Sequence, residues 1–391
     1  MRVHYMDALR SVLMLLGVVY HTALVYGPDF DWLVASPNTD AMLGYTAQFL
    51  HSFRMPAFFI VAGYFTALLL SRYSESRFLS HRLQRIGIPL LATAVLINPW
   101  INYIALDKPA ASDFFSYLLS EPHLSGGEWI HHLWFLANLL VYYVAALMVL
   151  KLGRPWVQKR LPRITALGQI LNIPLMATAL ILLLPVVNMA FFRVAWNLPG
   201  IDHNSHIAGF VTLYSLAEFA PYFAFGCLLW THRGLQEHFA SAYVWLPALL
   251  LAGALLWVAP AVHGPAAPRY AEYAWILEAW GMSSLCFAVF RRLCDRPSPT
   301  FAYLSGAAYT IYLVHMLFVL AFALYLIQTD LHPIVQFLLV CISTAAASLL
   351  IHHYLILRVP FLQLLFNGKI VRPEGVTSDL ARTRSSARLS G

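Results

Sequence analysis

This sequence is short of charge. Only 11% of its 391 residues are Asp, Glu, Lys or Arg, less than half of the roughly 25% found in soluble domains. A soluble fold of this size could not cover its surface, so a water-soluble enzyme is excluded. Cysteine is scarce too. The four present (Cys227, Cys286, Cys294 and Cys341) lie in or beside apolar segments without paired spacing, which excludes a disulfide framework or a cysteine metal centre. There is no G-x-x-x-x-G-K and no G-x-G-x-x-G to cradle a nucleotide, and no G-x-S-x-G elbow for a serine nucleophile. No polar stretch is long enough for a separate soluble domain of even about 50 residues. No internal repeat is evident, which weighs against transporters built from inverted repeats.

What is present is apolar surface: 60% of residues are hydrophobic, including 25 Phe, 20 Tyr and 11 Trp, and the mean hydropathy is +0.66. Ten runs are long and apolar enough to span a bilayer: 8–26, 49–70, 87–106, 131–151, 167–189, 207–231, 243–262, 272–291, 303–327 and 334–357. The expected fold class is therefore all-α integral membrane, a polytopic bundle of about ten transmembrane helices. The first run lacks a small-residue cleavage site and reads as a retained signal anchor.

Ten spans put both termini on one side. Of the 25 Lys and Arg, 21 fall in the loops and tails of that side, while the opposite loops hold only Lys108, Arg193 and Arg269. The positive-inside rule makes that side, and both termini, cytoplasmic. The net charge of +7 thus expresses topology rather than nucleic-acid binding. The opposite loops, 27–48 and 107–130, are acidic and rich in Pro, Gly and Trp. Residues 1–366 read as one membrane domain and 367–391 as a basic, disordered cytoplasmic tail.

Ionisable groups inside a span cost about 2.5–3.5 kcal/mol each, so each needs a partner or a task. Asp7 and Arg10, three apart, can pair on one helix face. Arg10 and His21 are eleven apart, on the same face and separated by about 16 Å along the axis. They are either an ordinary interfacial Arg with a satisfied interior His, or parts of a site. His51 and Arg54 sit one turn apart where the second span begins. Arg54 either snorkels back to the interface or, beside Pro56 and Gly63, faces a cavity able to hold an anionic group. His315 follows Tyr309 and Tyr312 in the ninth span, about 18–20 Å deep, close to the level of His21.

Glu218 and Glu278 are expected to be ion-paired within the bundle. His131, His132, His203 and His206 lie at outer boundaries, and no zinc spacing relates them, so no metal site is expected. Arg82 and Arg85 precede the third span. They either anchor topology or fork around phosphates.

Several blocks carry a resemblance: H-Y-M-D-A-L-R (4–10) with His21, H-S-F-R-M-P-A-F-F-I-V-A-G-Y-F (51–65), H-R-L-Q-R-I-G-I-P (81–89), H-L-W-F-L (132–136), Y-T-I-Y-L-V-H (309–315) and I-L-R-V-P-F-L-Q-L-L-F-N-G-K (356–369). In this order they resemble the integral-membrane acyltransferase-3 family over almost the whole chain. Within it, H-S-F-R-M and L-R-V-P…G-K look most like the group implicated in succinylating osmoregulated periplasmic glucans.

The resemblance implies a ten-helix bundle in the bacterial inner membrane, with acyl-CoA (here succinyl-CoA) as a cytoplasmic co-substrate and no permanently bound cofactor. The acceptor would be a periplasmic glucan. The family's Arg–His pair falls on Arg10 and His21, and its R-x-x-R element on Arg82 and Arg85. On that reading His21, Arg10 and Asp7 carry catalysis, with Asp7 orienting Arg10. Arg82, Arg85 and Arg10 hold the donor's phosphates. Arg54, His51, Tyr312, His315 and Trp134 form the substrate and acyl side, where Arg54 and His51 bind a succinyl carboxylate or an oxyanion. The rival readings are acylation of another surface polysaccharide or lipopolysaccharide, and a transporter or flippase without covalent chemistry.

Overall fold

A computed structural model of the chain describes residues 3–28, 30, 32–105, 114, 117, 129–170, 173–198, 206–207, 209–264 and 267–370, with backbone alone over 154–170. Among these residues ten helical segments have the length and composition of membrane spans. The helices are α1 (His4–Tyr26), α2 (Ala41–Leu70), α3 (Glu75–Arg82), α4 (Ile88–Leu96), α5 (Asn98–Ala105), α6 (Trp134–Ile170), α7 (Pro174–Trp196), α8 (Leu213–Thr231), α9 (Arg233–Phe239), α10 (Ala242–Val258), α11 (Ala267–Cys294), α12 (Pro299–Leu326), α13 (Pro333–Leu350) and α14 (Pro360–Asn367). Two-residue strands at His206–Ile207 and Val211–Thr212 pair in a short hairpin. The protein is an all-α polytopic membrane protein.

Local chemistry sets the helix starts. The Asp40 carboxylate accepts from the Met42 amide at 2.8 Å, so α2 begins eight residues before the expected 49. Pro174, Pro299, Pro333 and Pro360 each open a helix, at the position where a missing amide hydrogen costs nothing. The fifth span differs most from expectation. Apolar content places it at 167–189, whereas α6 runs on to Ile170 and the span is Pro174–Trp196. The third span, expected as one helix over 87–106, is broken. A π-turn at Leu83–Gly87 leads into α4, and Asn98 opens α5 by donating to the Trp129 carbonyl at 2.5 Å.

Helices α1, α2 and α12 form the centre, with 61%, 61% and 67% of their apolar windows buried within the protein. Helices α7, α10 and α13 bury 28%, 17% and 22% and offer the rest to lipid. α1 packs against α2, α11, α12 and α13. α2 crosses α8 with backbone almost touching backbone. A Cβ on Gly63 would stand 2.0 Å from the Phe223 carbonyl oxygen, and one on Gly226 2.0 Å from that of Ile60. Small residues permit such close crossings where no hydrophobic effect drives helices together.

Two connections fold back onto the bundle. Between α1 and α2, the Ser36 and Asp40 amides donate to the Val25 and Tyr26 carbonyls, and Trp32 stacks on His21. After α13, a π-turn (Ile351–Ile356) leads to α14, and the segment through Lys369 stays on the bundle. Asn367 and Gly368, placed in the tail by their sequence, are buried. Residues 371–391, most of loop 107–130 with Lys108, and His203 lie outside the described residues.

Candidate active site

α1 carries one functional end into each of two cavities. The first, about 440 Å³, is lined by Asp7, Arg10, His81, Arg82, Arg85, Tyr309 and Lys369 above an apolar floor that includes Phe58 and Phe135. Arg10 donates to the Ser305 hydroxyl at 2.8 Å and stands 3.5 Å from the Asp7 carboxylate, one turn earlier on the same face. Asp7 and Arg10 thus pair on one helix face, as their spacing implies. Arg82 lies 5.2 Å over the Tyr143 ring and 5.6 Å over that of Phe78. Its Nε is buried without a hydrogen-bond partner. Arg85 donates to the Asn367 carbonyl at 2.9 Å, and the Tyr309 hydroxyl donates to the Arg85 carbonyl. The π-turn that begins right after Arg82 contains Arg85, and such turns are often found at functional sites.

The second cavity, about 910 Å³, holds His21, His51, Arg54, His132, Trp134 and Tyr312, with Trp32, Glu218 and Trp275 among its walls. Two imidazoles of its lining, His21 and His132, meet a third, the buried His315, behind the wall. The His21 and His315 rings are 5.3 Å apart, His132 and His315 5.1 Å, and His21 and His132 6.5 Å. The expected matching depth of His21 and His315 therefore becomes direct proximity. His315 Nδ1 donates to the Tyr312 carbonyl at 2.8 Å. That bond places the proton on Nδ1 and leaves Nε2, buried and unpartnered, as a lone pair. The Tyr312 hydroxyl donates to the His132 carbonyl at 2.6 Å, so it positions the loop while its ring lines the cavity.

Arg54 does not snorkel. Only 9% of it is exposed, and its guanidinium lies 4.6 Å over the Tyr20 ring, turned inward beside His315. Gly17 makes the room, because a Cβ there would be 2.8 Å from Arg54 Nη1 and 3.7 Å from His315 Nε2. Among the described residues no carboxylate lies within ion-pair distance of Arg54. His51 is exposed at the rim and shares a 3.2 Å hydrogen bond with the Tyr20 hydroxyl. Trp134 packs on Phe219 and Phe59 in the same wall.

Other expectations are corrected. Glu218 and Glu278 were expected in ion pairs, but among the described residues neither has a cationic partner. Glu278 accepts from the Ser52 hydroxyl, and Glu218 lines the histidine cavity. Asp7 and Arg10 stay apart from His21, as their spacing along α1 implies, at about 21 and 16 Å along the axis. His132, expected as a boundary residue, is a member of the imidazole cluster. Its one sequence signal was its place at the head of H-L-W-F-L. Gly17 went unnoticed, though it lies one turn before His21. No group of three or more metal-ligating side chains is found among the described residues.

Phe135 lines both cavities. It packs at 4.6 Å on Phe58, 4.8 Å on Phe59 and 6.3 Å on Tyr312. These rings form a septum between a basic cavity fit for phosphates and a cavity fit for general-base chemistry.

The sequence comparison gives this multi-pass bundle its class, membrane acyltransferase: the acyltransferase-domain family model, acyltransferase-3, matches residues 3–353. The chain belongs to that family. It is 28% identical over 382 residues to the protein named glucans biosynthesis protein C of Salmonella heidelberg (strain SL476), covering 94% of this chain and 95% of the relative. The same identity and coverage relate it to the proteins of that name from Salmonella paratyphi B and Salmonella enteritidis PT4. No solved structure gives a significant match.

Proposed function

We propose that the protein is an O-acyltransferase of the bacterial inner membrane, moving a succinyl group from cytoplasmic succinyl-CoA to a hydroxyl of a periplasmic glucan. The observation that carries this reading is the placement of Arg10 and His21, on one face of α1, in two cavities parted only by the aromatic septum. A coenzyme's phosphates would sit with Arg82, Arg85 and Arg10. Its pantetheine arm, about as long as the Arg10–His21 separation, would carry the thioester past Phe135 toward the imidazoles. The distribution of Lys and Arg supports the basic cavity as the cytoplasmic one.

In the transfer, the glucan hydroxyl oxygen bonds to the thioester carbonyl carbon while its proton passes to His21. The tetrahedral intermediate collapses with cleavage of the carbon–sulfur bond, and the coenzyme leaves as a thiolate that takes the proton back from His21. The His315 and His132 rings stand 5.3 and 6.5 Å from that of His21, and among the described residues no hydrogen bond joins the three imidazoles, so His21 alone is assigned the proton. Arg54 supports the choice of succinyl. A buried guanidinium without a carboxylate partner is costly at membrane depth, and the free carboxylate of a succinyl group would supply the missing charge. Trp32, Trp134 and Trp275 offer apolar faces for sugar rings in the same cavity.

Mass spectrometry of periplasmic glucans tests the reading. A deletion strain should lack succinyl esters, wild-type protein should restore them, and His21→Ala should not. Unchanged glucans in the deletion strain would remove the glucan from the account.

A further inference from the structure

The segment F-N-G-K (366–369) takes no part in the chemistry above, yet it is fastened to the segment that bears the donor-site arginines. Gln84 Nε2 donates to the Gly368 carbonyl at 3.0 Å and Arg85 Nη1 to the Asn367 carbonyl at 2.9 Å. Thr310 adds a hydrogen bond to the Asn367 side chain at 3.2 Å. Gly368 has φ +56°, and a Cβ there would stand 2.3 Å from the Gln84 carbonyl oxygen and 2.6 Å from Arg85 Cα. Only glycine fits such an approach with that backbone.

The consequence of this clamp is the position of the next residue. Lys369 follows the anchored glycine and lines the basic cavity beside Arg10, Arg82 and Arg85. The cavity's lining contains one carboxylate, Asp7, which faces Arg10. Among the described residues, the other three Lys and Arg of the lining have no carboxylate within ion-pair distance. Burial and the neighbouring Arg85 push the Lys369 ammonium below the ordinary lysine value, a penalty that a bound anion relieves.

We propose that Lys369 is a phosphate-binding residue of the donor cavity, and that the clamp fits the cavity to a nucleotide carrying a separate phosphomonoester besides its diphosphate, as coenzyme A does at the ribose 3′ position. A diphosphate alone leaves part of the cationic surplus unmatched, whereas the extra phosphate matches it. The proposal rests on the donor reading above and adds to it the residue and the phosphate that it recognises.

The test is titration calorimetry of the full-length protein in detergent, with coenzyme A and 3′-dephospho-coenzyme A as probes. Wild type should bind coenzyme A about tenfold more tightly than the dephospho form, as befits one charge-assisted contact. Lys369→Gln should lose about tenfold in affinity for coenzyme A and bring the two probes level, while Lys369→Arg should preserve the preference. Because much of Lys369 is exposed, the melting temperature should not move. Gly368→Ala should mimic Lys369→Gln by displacing the anchor. Coenzyme A binding by wild type that Lys369→Gln leaves unchanged would overturn this inference and spare the donor reading. Failure of wild type to bind either probe would overturn both.

Discussion

Arg54 occupies the space that a side chain at Gly17 would fill: Nη1 lies 2.8 Å from the position of the absent Cβ. The glycine on α1 and the arginine on α2 are therefore one device, with the helix thinned so that a buried cation can reach the imidazole cluster. Gly17→Ala should push the guanidinium out of register. We expect turnover to fall by about tenfold or more with a melting temperature close to wild type, because the clash is with the end of a flexible side chain. Steady-state kinetics beside thermal melts check this, and unchanged turnover would separate Arg54 from the chemistry.

The role of Arg54 itself is decided by acyl preference. If it holds the succinyl carboxylate, Arg54→Ala should reduce use of succinyl-CoA by about 100-fold, the scale of an unpaired buried charge. Use of acetyl-CoA should change far less. An equal loss with both donors would assign Arg54 to the oxyanion instead.

His315 keeps a buried, unpartnered lone pair on Nε2 beside the cavity residues His21 and His132, because its other nitrogen is held by the Tyr312 carbonyl. His315→Asn can keep a donor near the Nδ1 position but removes Nε2. It should retain the wild-type melting temperature while lowering turnover about tenfold. Full activity in this variant would make His315 a packing residue.

The two arginines of the R-x-x-R element should part company under mutation. Among the described residues Arg82 makes no hydrogen bond to the 366–369 segment, so Arg82→Ala should raise the donor KM about tenfold and leave residues 360–369 as protected as before. Arg85→Ala removes the bond to the Asn367 carbonyl. It should raise the KM and also speed amide hydrogen exchange over that segment. Identical exchange in both variants would contradict the clamp.

The crossing of α2 and α8 is a matter of stability rather than chemistry. Gly63→Ala or Gly226→Ala would set a methyl group 2.0 Å from a backbone oxygen. Helix separation should cost about 1–3 kcal/mol, on the scale of overpacking elsewhere. A melting temperature that does not fall in detergent would show that the helices part freely.

The number and order of the spans were legible in the sequence because the bilayer imposes a length on every apolar run. The fifth was misplaced because α6 continues to Ile170, so hydropathy alone had no edge to find there. At the site, the spacing of Arg10 and His21 along one helix face was readable. The inward turn of Arg54 was not, because it depends on a glycine of another helix. His132 was missed for a similar reason: its neighbours His21 and His315 come from α1 and α12. Glu218 was assigned an ion pair on cost alone, although a cavity wall can also keep a carboxyl group hydrated.

The central claim is that donor and acceptor meet across the septum from opposite faces. Purified protein in proteoliposomes of known orientation tests it most directly, with labelled succinyl-CoA on one side and glucan on the other. Labelled glucan should form only when the donor is on the face that carries both ends of the helical bundle and the glucan is on the opposite face, and His21→Ala should form none. Transfer only when both substrates share a side, or undiminished transfer by His21→Ala, would contradict the account.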